Sequence, residues 1–268
     1  GGLFAAFPVA YGIIMTGLYL PVTFMLFGLI MRGVAFEFRF KASSRRHVWD
    51  TFFFVGSVVA TFSQGIMLGA LVQGLEASNR LYTGGPFDWL TPFSIVCGFA
   101  MIIGYALLGS TWLIIKTEHT LQVWARKVSG WMLSALVVAM IVVTAFMYFS
   151  DINALEGWFG FPGLLYLAPM PIIVLLLFFL MRKDLSGERE YRPFLLTVAL
   201  FLMGYIGVCF AMFPYIVPYQ MTIYEAAAAD TSLSFMLVGA VIMLPIILSY
   251  TAFAYYTFKG KTGHEHMY

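Results

Sequence analysis

Apolar runs of roughly twenty residues, separated by short polar loops, recur from one end of this chain to the other. A helix rises about 1.5 Å per residue, so about 20 residues cross a hydrocarbon core of about 30 Å. Within that core only helices and closed barrels satisfy their own backbone groups. The runs Thr51 to Gln73, Phe93 to Ile115, Gly130 to Phe149, Phe161 to Met181, Pro193 to Phe213 and Phe235 to Phe258 all reach the helical length. They predict an all-α, polytopic transmembrane helix bundle, with residues 1–268 forming a single integral-membrane domain. Composition agrees, since 61% of residues are hydrophobic and only 10% charged, against about 25% charged in soluble domains.

The opening run, Gly1 to Met31, would measure roughly 46 Å as one helix, longer than the core. A break is therefore expected near Pro8 to Gly12, leaving the tail of one span and a complete span from about Ile13. That makes a stub plus seven complete spans. The chain is apolar from Gly1, and "GGLFAAFPVAYG" lacks the charged start and small-residue exit of a signal peptide. It reads as a fragment that begins inside a span.

Alternate loops divide the charge sharply. Arg32, Arg39, Lys41, Arg45 and Arg46 follow Met31; Lys116, Arg126 and Lys127 follow Ile115; Arg182, Lys183, Arg189 and Arg192 follow Met181; Lys259 and Lys261 lie in the tail. These are fourteen of the fifteen Lys and Arg. The intervening loops hold only Arg80, beside Glu76, Asp88, Asp151, Glu156, Glu225 and Asp230. The positive-inside rule makes the basic face cytoplasmic and puts the C-terminus there too. Because the cations sit in short loops and form no continuous stripe, a net charge of +2 does not indicate a nucleic-acid partner.

Within the spans, Ser57, Thr61, Gly65 and Gly69 recur at four-residue steps, a small-residue ladder on one helix face where another backbone can approach. Gln64 lies near mid-span, where an amide must face protein, water or a ligand. Pro169, Pro171 and Pro245 fall inside runs and are expected to kink them. Cys97 and Cys209, both in apolar runs, read as packing residues, as do the sixteen methionines. All four histidines, His47, His119, His264 and His266, lie in basic-face loops or the tail, so none can ligate haem or metal at bilayer depth. No Asp, Glu, Lys or Arg occupies the middle of a run, which argues against a proton relay or ion-coupled carrier made of this chain alone. No catalytic, cofactor-binding or metal site is expected here.

Arg32 differs from its basic neighbours. It directly follows an apolar run and precedes Gly33, so its guanidinium belongs at the hydrocarbon edge, where it snorkels to headgroups or finds an acceptor within protein. Glu37 is five residues on, outside the favoured helical pairing distance. Phe36, Phe38 and Phe40 alternate with Glu37, Arg39 and Lys41, as in an interfacial segment with one greasy and one wet side. Arg45 and Arg46 lie in "ASSRRH", where a solvated or lipid-phosphate-facing role is expected.

In order, "GGLFAAFP", "LIMRGVAFEFRF", "VWD", "GALVQG", "WLTPF", "GYALLGSTWLIIKTE", "AMFPYIVP" and "LPIILSYTA" resemble subunit II of the cytochrome bd-type quinol oxidases, nearer the cyanide-insensitive branch. The resemblance runs from Gly1 to about Gly260. It implies a bacterial inner-membrane heterodimer in which subunit I carries haems b and d and the quinol site, oxidising quinol and reducing oxygen to water. Subunit II is then a haem-free partner of nine spans, of which the first and part of the second would be missing here. Family members are also thought to offer oxygen an apolar route, and some hold a structural quinone. By position, the family's arginine at the end of the third span is Arg32, and the acidic and basic residues after it match Glu37 and Arg39, which become candidates for structural or interface roles. The alternative from another class is a multi-span small-solute transporter, for which paired broken helices and midplane polar groups would be expected; only Gln64 and scattered hydroxyls are present.

Overall fold

The computed structural model describes residues 1–42, 45–149, 169–187 and 189–261. In chain order the helices are α1 (Gly2–Ala6), α2 (Pro8–Gly17), α3 (Tyr19–Lys41), α4 (Arg46–Gln73), α5 (Pro92–Lys116), α6 (His119–Phe149), α7 (Pro169–Leu185), α8 (Tyr191–Met212), α9 (Ile223–Ala226) and α10 (Asp230–Thr257). Two small antiparallel hairpins, β1 (Ala77–Ser78) with β2 (Leu81–Tyr82) and β3 (Tyr215–Val217) with β4 (Met221–Thr222), lie in the loops opposite the basic face. Among the described residues six helices, α3, α4, α5, α6, α8 and α10, are long and apolar enough to cross a membrane. The predicted span Phe161 to Met181 lies partly outside the described residues, and α7 covers its second half. Pro169 and Pro171 stand at the start of that described part, whereas Pro245 lies well inside α10.

Two expectations about helix ends need correction. The opening run does break beside Pro8, at Phe7, but it breaks again at Leu18, so α2 runs unbroken through Gly12 and the complete span begins at Tyr19, not Ile13. Length alone does not force a break. At 31 residues α6 extends about 46 Å, and such helices project beyond the hydrocarbon core. What stops a helix is local: Pro8 at the first position of α2 has no N–H to offer the turn before it. Likewise α3 does not end at Met31 but continues to Lys41, so Phe36, Phe38 and Phe40 occupy its last turns, all exposed, and form no two-sided extended segment. Arg126 and Lys127 are also helical, on the first turns of α6.

Packing proceeds through antiparallel neighbours: α3 on α4, α4 on α5, α5 on α6, and α7 on α8, with α8 returning to α5. One core joins α2 to α4 and to the hairpin loops through Ala10, Ile13, Ile66, Ala70, Trp89 and Val217. Another joins Leu107, Leu133, Met181 and Leu200, one residue each from α5, α6, α7 and α8. Between α5 and α6, the buried hydroxyls of Ser129 and Ser110 form a 2.8 Å hydrogen bond, the kind of small-polar link that joins helices in lipid. The start of α5 is fixed by Thr91, whose hydroxyl accepts from the Ser94 N–H while the Ser94 hydroxyl accepts from the Thr91 N–H, and Pro92 fills the first turn. By contrast, none of the 28 residues of α10 is buried. Its ends are tied by the Ala228 N–H to the Ala6 carbonyl and by Lys116 Nζ to the carbonyls of Phe258 and Gly260.

Candidate functional site at the basic ends of the helices

The C-terminal half of α3 and the N-terminal half of α4 bring the sequence candidates together. The helices meet where Gly28 faces Gly56 and Ala60: a methyl on Gly28 would lie 2.7 Å from the Gly56 carbonyl oxygen, and one on Gly56 would lie 2.5 Å from that of Gly28. From this crossing the helices run on to their charged ends. There Arg39 pairs with Asp50 on α4, Lys41 Nζ donates to Glu37 Oε1 at 2.7 Å one turn away, and Phe38 stacks on Trp49 with centroids 5.1 Å apart. Arg32, exposed, places its guanidinium 5.5 Å from the centre of the Phe53 ring, a cation–π contact with α4. Glu37 therefore serves Lys41 and Arg39 serves Asp50, while Arg32 stands apart from both pairs.

Toward the other end of α4, Gly65 and Gly69 lie directly against α5. A methyl on Gly65 would meet the Cys97 carbonyl at 2.5 Å, and one on Gly69 the Ser94 Cα at 2.7 Å. Ser57 turns its hydroxyl to the Phe53 carbonyl of its own helix, and Thr61 is half-buried. Gln64 Oε1 is buried and has no hydrogen-bond partner among the described residues.

Sequence reasoning passed over a second cluster, at the basic ends of α6, α7 and α8. Asp184, 6% exposed, closes α7. Its Oδ2 lies 3.2 Å from Arg192 Nε, near enough for an ion pair though not aligned as a hydrogen bond, and its Oδ1 is 3.9 Å from Arg189. Arg126 donates to the carbonyls of Asp184, Gly187 and Arg189, fastening α6 to the α7–α8 turn. Glu190 accepts from Gln122 Nε2 at 2.9 Å and from Lys261 Nζ at 2.6 Å, so it ties the start of α6 to the segment after α10. The Lys261 and Gln122 hydrogen bonds hold the Glu190 carboxyl below its usual range. The signal was present: an acid embedded in "MRKDLSGERE" invites a structural pairing.

Opposite the basic face, Tyr82 donates to the Gly85 carbonyl at 2.7 Å. Burial, then the charges of Asp88 and Glu76, push its phenol upward. Glu225 accepts from the Thr222 backbone N–H, which lowers its carboxyl. Both tyrosine and glutamate brace loops. Among the described residues no three His, Cys, Asp or Glu side chains are grouped closely enough to hold a metal ion.

Helices of this length and apolarity, antiparallel in succession with their cations gathered at one end, define a multi-pass helical membrane protein. The family model described as cytochrome bd terminal oxidase subunit II matches residues 1–258, and the chain belongs to that family. It is 26% identical to the cytochrome bd ubiquinol oxidase subunit 2 of Bacillus subtilis (strain 168), over 99% of this chain and 79% of that one. It is 27% identical to the cytochrome bd-I ubiquinol oxidase subunit 2 of Escherichia coli (strain K12), again over 99% and 79%. The fold is also similar to a chain in the structure of bd oxidase from Geobacillus thermodenitrificans, with a TM-score of 0.68 at 14% identity, covering 89% of this chain and 73% of that one. Family membership sets aside the solute-transporter reading.

Proposed function

We propose that this chain is the haem-free subunit of a bd-type quinol oxidase, a membrane scaffold for a haem-bearing subunit I that oxidises quinol and reduces oxygen to water. The observation that carries the reading is the family match over residues 1–258. The relatives named above are subunits of ubiquinol oxidases. Histidine placement supports the haem-free assignment: His47 and His119 are exposed at the starts of α4 and α6, whereas an axial ligand must reach into an enclosed, apolar haem pocket. In this reading haems b and d belong to subunit I. This chain supplies membrane contacts, an apolar route for oxygen between its helices, and contact with a structural quinone. The basic face is cytoplasmic, in a bacterial inner membrane.

The test is spectroscopic. The full-length chain, expressed and purified without its partner, is expected to show no haem absorption, while the complex purified from native membranes carries haem and oxidises quinol. A stoichiometric haem spectrum from this subunit alone would refute the assignment and turn attention to its methionines.

A further inference from the structure

Two cavities open at the basic ends of the helices, and their chemistry differs. The first, about 650 Å³ between α5 and the segment after α10, is lined by Lys116, Lys259 and Lys261. Its cations are engaged: Lys116 by the Phe258 and Gly260 carbonyls, Lys261 by Glu190, and Lys259 over the Tyr256 ring at 4.0 Å. That cavity is a by-product of the tail's attachment.

The second, about 600 Å³, lies between α6 and α7 and is lined by Arg126, Lys127, Trp131, Ser134, Arg182 and Ser186, with no carboxylate in its wall. Among the described residues none of its three cations is paired with an acid, because Asp184, the nearest in sequence, is taken by Arg192 and Arg189. Arg126 is held in place by three carbonyls of the α7–α8 turn. Among the described residues Arg182 reaches only the Gly130 carbonyl at 3.5 Å and the Ser134 hydroxyl at 3.4 Å, at the long limit of a hydrogen bond. Lys127 makes no hydrogen bond among the described residues, and its position one turn before Trp131 puts both on one side of α6. The Glu190 carboxylate feels the charge of Arg126, but among the described residues no acid reaches Lys127 or Arg182; these two cations, one without a hydrogen bond and one weakly held, form an anion site beside Arg126.

The position of the site narrows the anion. Trp131 is 70% exposed and stands where the charged end of α6 gives way to its apolar length, the usual depth of an interfacial aromatic. From Trp131 an exposed apolar row continues along α6 at Val138 and Val142, and from Arg182 another continues along α7 at Phe179, Leu175 and Ile172, each at helical spacing. Cations at the mouth and two greasy rails beneath them match a phosphate-headed amphiphile. We propose that the α6–α7 pocket binds the phosphate headgroup of an anionic phospholipid, with the acyl chains lying along these rows.

The experiment uses the full chain purified from membranes in mild detergent, with whatever subunits copurify, and counts bound lipid by native mass spectrometry. Phosphatidylglycerol, phosphatidylcholine and inorganic phosphate are separate arms. The parent is expected to retain phosphatidylglycerol in preference to phosphatidylcholine, with K127Q and R182Q each weakening retention about fivefold, the worth of one cation near an anionic headgroup. K259Q, in the other cavity, is expected to leave it unchanged. K127Q removes no hydrogen bond from the described fold, so it reports on the site even if R182Q fails to assemble. Equal retention of the two lipids, equal retention in parent and K127Q, or occupancy by inorganic phosphate that phosphatidylglycerol does not displace would each overturn the proposal.

Discussion

Gly56→Ala tests whether the α3–α4 crossing is as close as it looks. The added methyl would lie 2.5 Å from the Gly28 carbonyl oxygen and 3.0 Å from the Arg32 backbone nitrogen, where ordinary contact begins at 3.4 Å. Both neighbours are helix backbone, which cannot rotate away as a side chain can, so the helices must separate by about 0.9 Å or tilt. Overpacking of that kind costs about 1–3 kcal/mol, worth several degrees in Tm for a chain of this size. The displacement also spreads the Arg39–Asp50 pair and the Phe38–Trp49 stack farther along the same two helices. Gly33→Ala is the matched control. It lies on the same helix with nothing within 4 Å of its new methyl, and it gains helix propensity of up to about 1 kcal/mol. Thermal unfolding of the purified protein in detergent, followed by loss of helical circular dichroism, is expected to rank Gly56→Ala below the parent and Gly33→Ala level with it or above. If Gly56→Ala melts with the parent, the backbones are not in contact there and the reasoning about this crossing is wrong.

Three more outcomes follow from the charged ends. Arg32→Leu is expected to reduce complex yield or quinol-dependent oxygen consumption per haem, since it removes the charge over Phe53, while Arg45→Ala changes neither; parity of the two variants would leave Arg32 as one more orientation charge. The Glu190 carboxyl is held low by Lys261 and Gln122, so its grip on the segment after α10 is complete above the ordinary carboxylate pKa and is lost as pH falls through the depressed one. Amide protection around Lys261, taken relative to the intrinsic exchange rate at each pH, should therefore fall on acidification in the parent, and E190Q should flatten that dependence; an identical profile in E190Q would show that another group controls it. Single cysteines at Ser186, Asn79 and Ala228, in a background without Cys97 and Cys209, test orientation in intact cells: an impermeant thiol reagent should label Asn79 and Ala228 but spare Ser186, and the reverse pattern would invert the topology.

Hydropathy and charge are properties of consecutive residues, so the sequence alone determined the class of protein, the location of the apolar runs and the face on which the cations collect. A run such as Phe93 to Ile115 has to be a helix in lipid whatever surrounds it, and α5 follows it within a residue at each end. Helix termini were less legible. The charged turns beyond a span, as at Phe36 to Lys41, stay helical without any apolar signal to announce it. The sequence also displayed the four-residue steps of Gly65 and Gly69, but such a ladder does not say which helix it meets; only the fold sets these two against Ser94 and Cys97 of α5 and gives the approach to α3 to Gly28 and Gly56 instead. Glu190 and Lys261 are 71 residues apart and Arg126 lies 58 from Asp184, separations that no local pattern can bridge. Which charges pair and which remain free is decided by how each helix is rotated against its neighbours. That rotation depends on side-chain packing across the whole bundle, so it was the tertiary structure that set Arg126, Lys127 and Arg182 facing one cavity with no acid among its described lining residues.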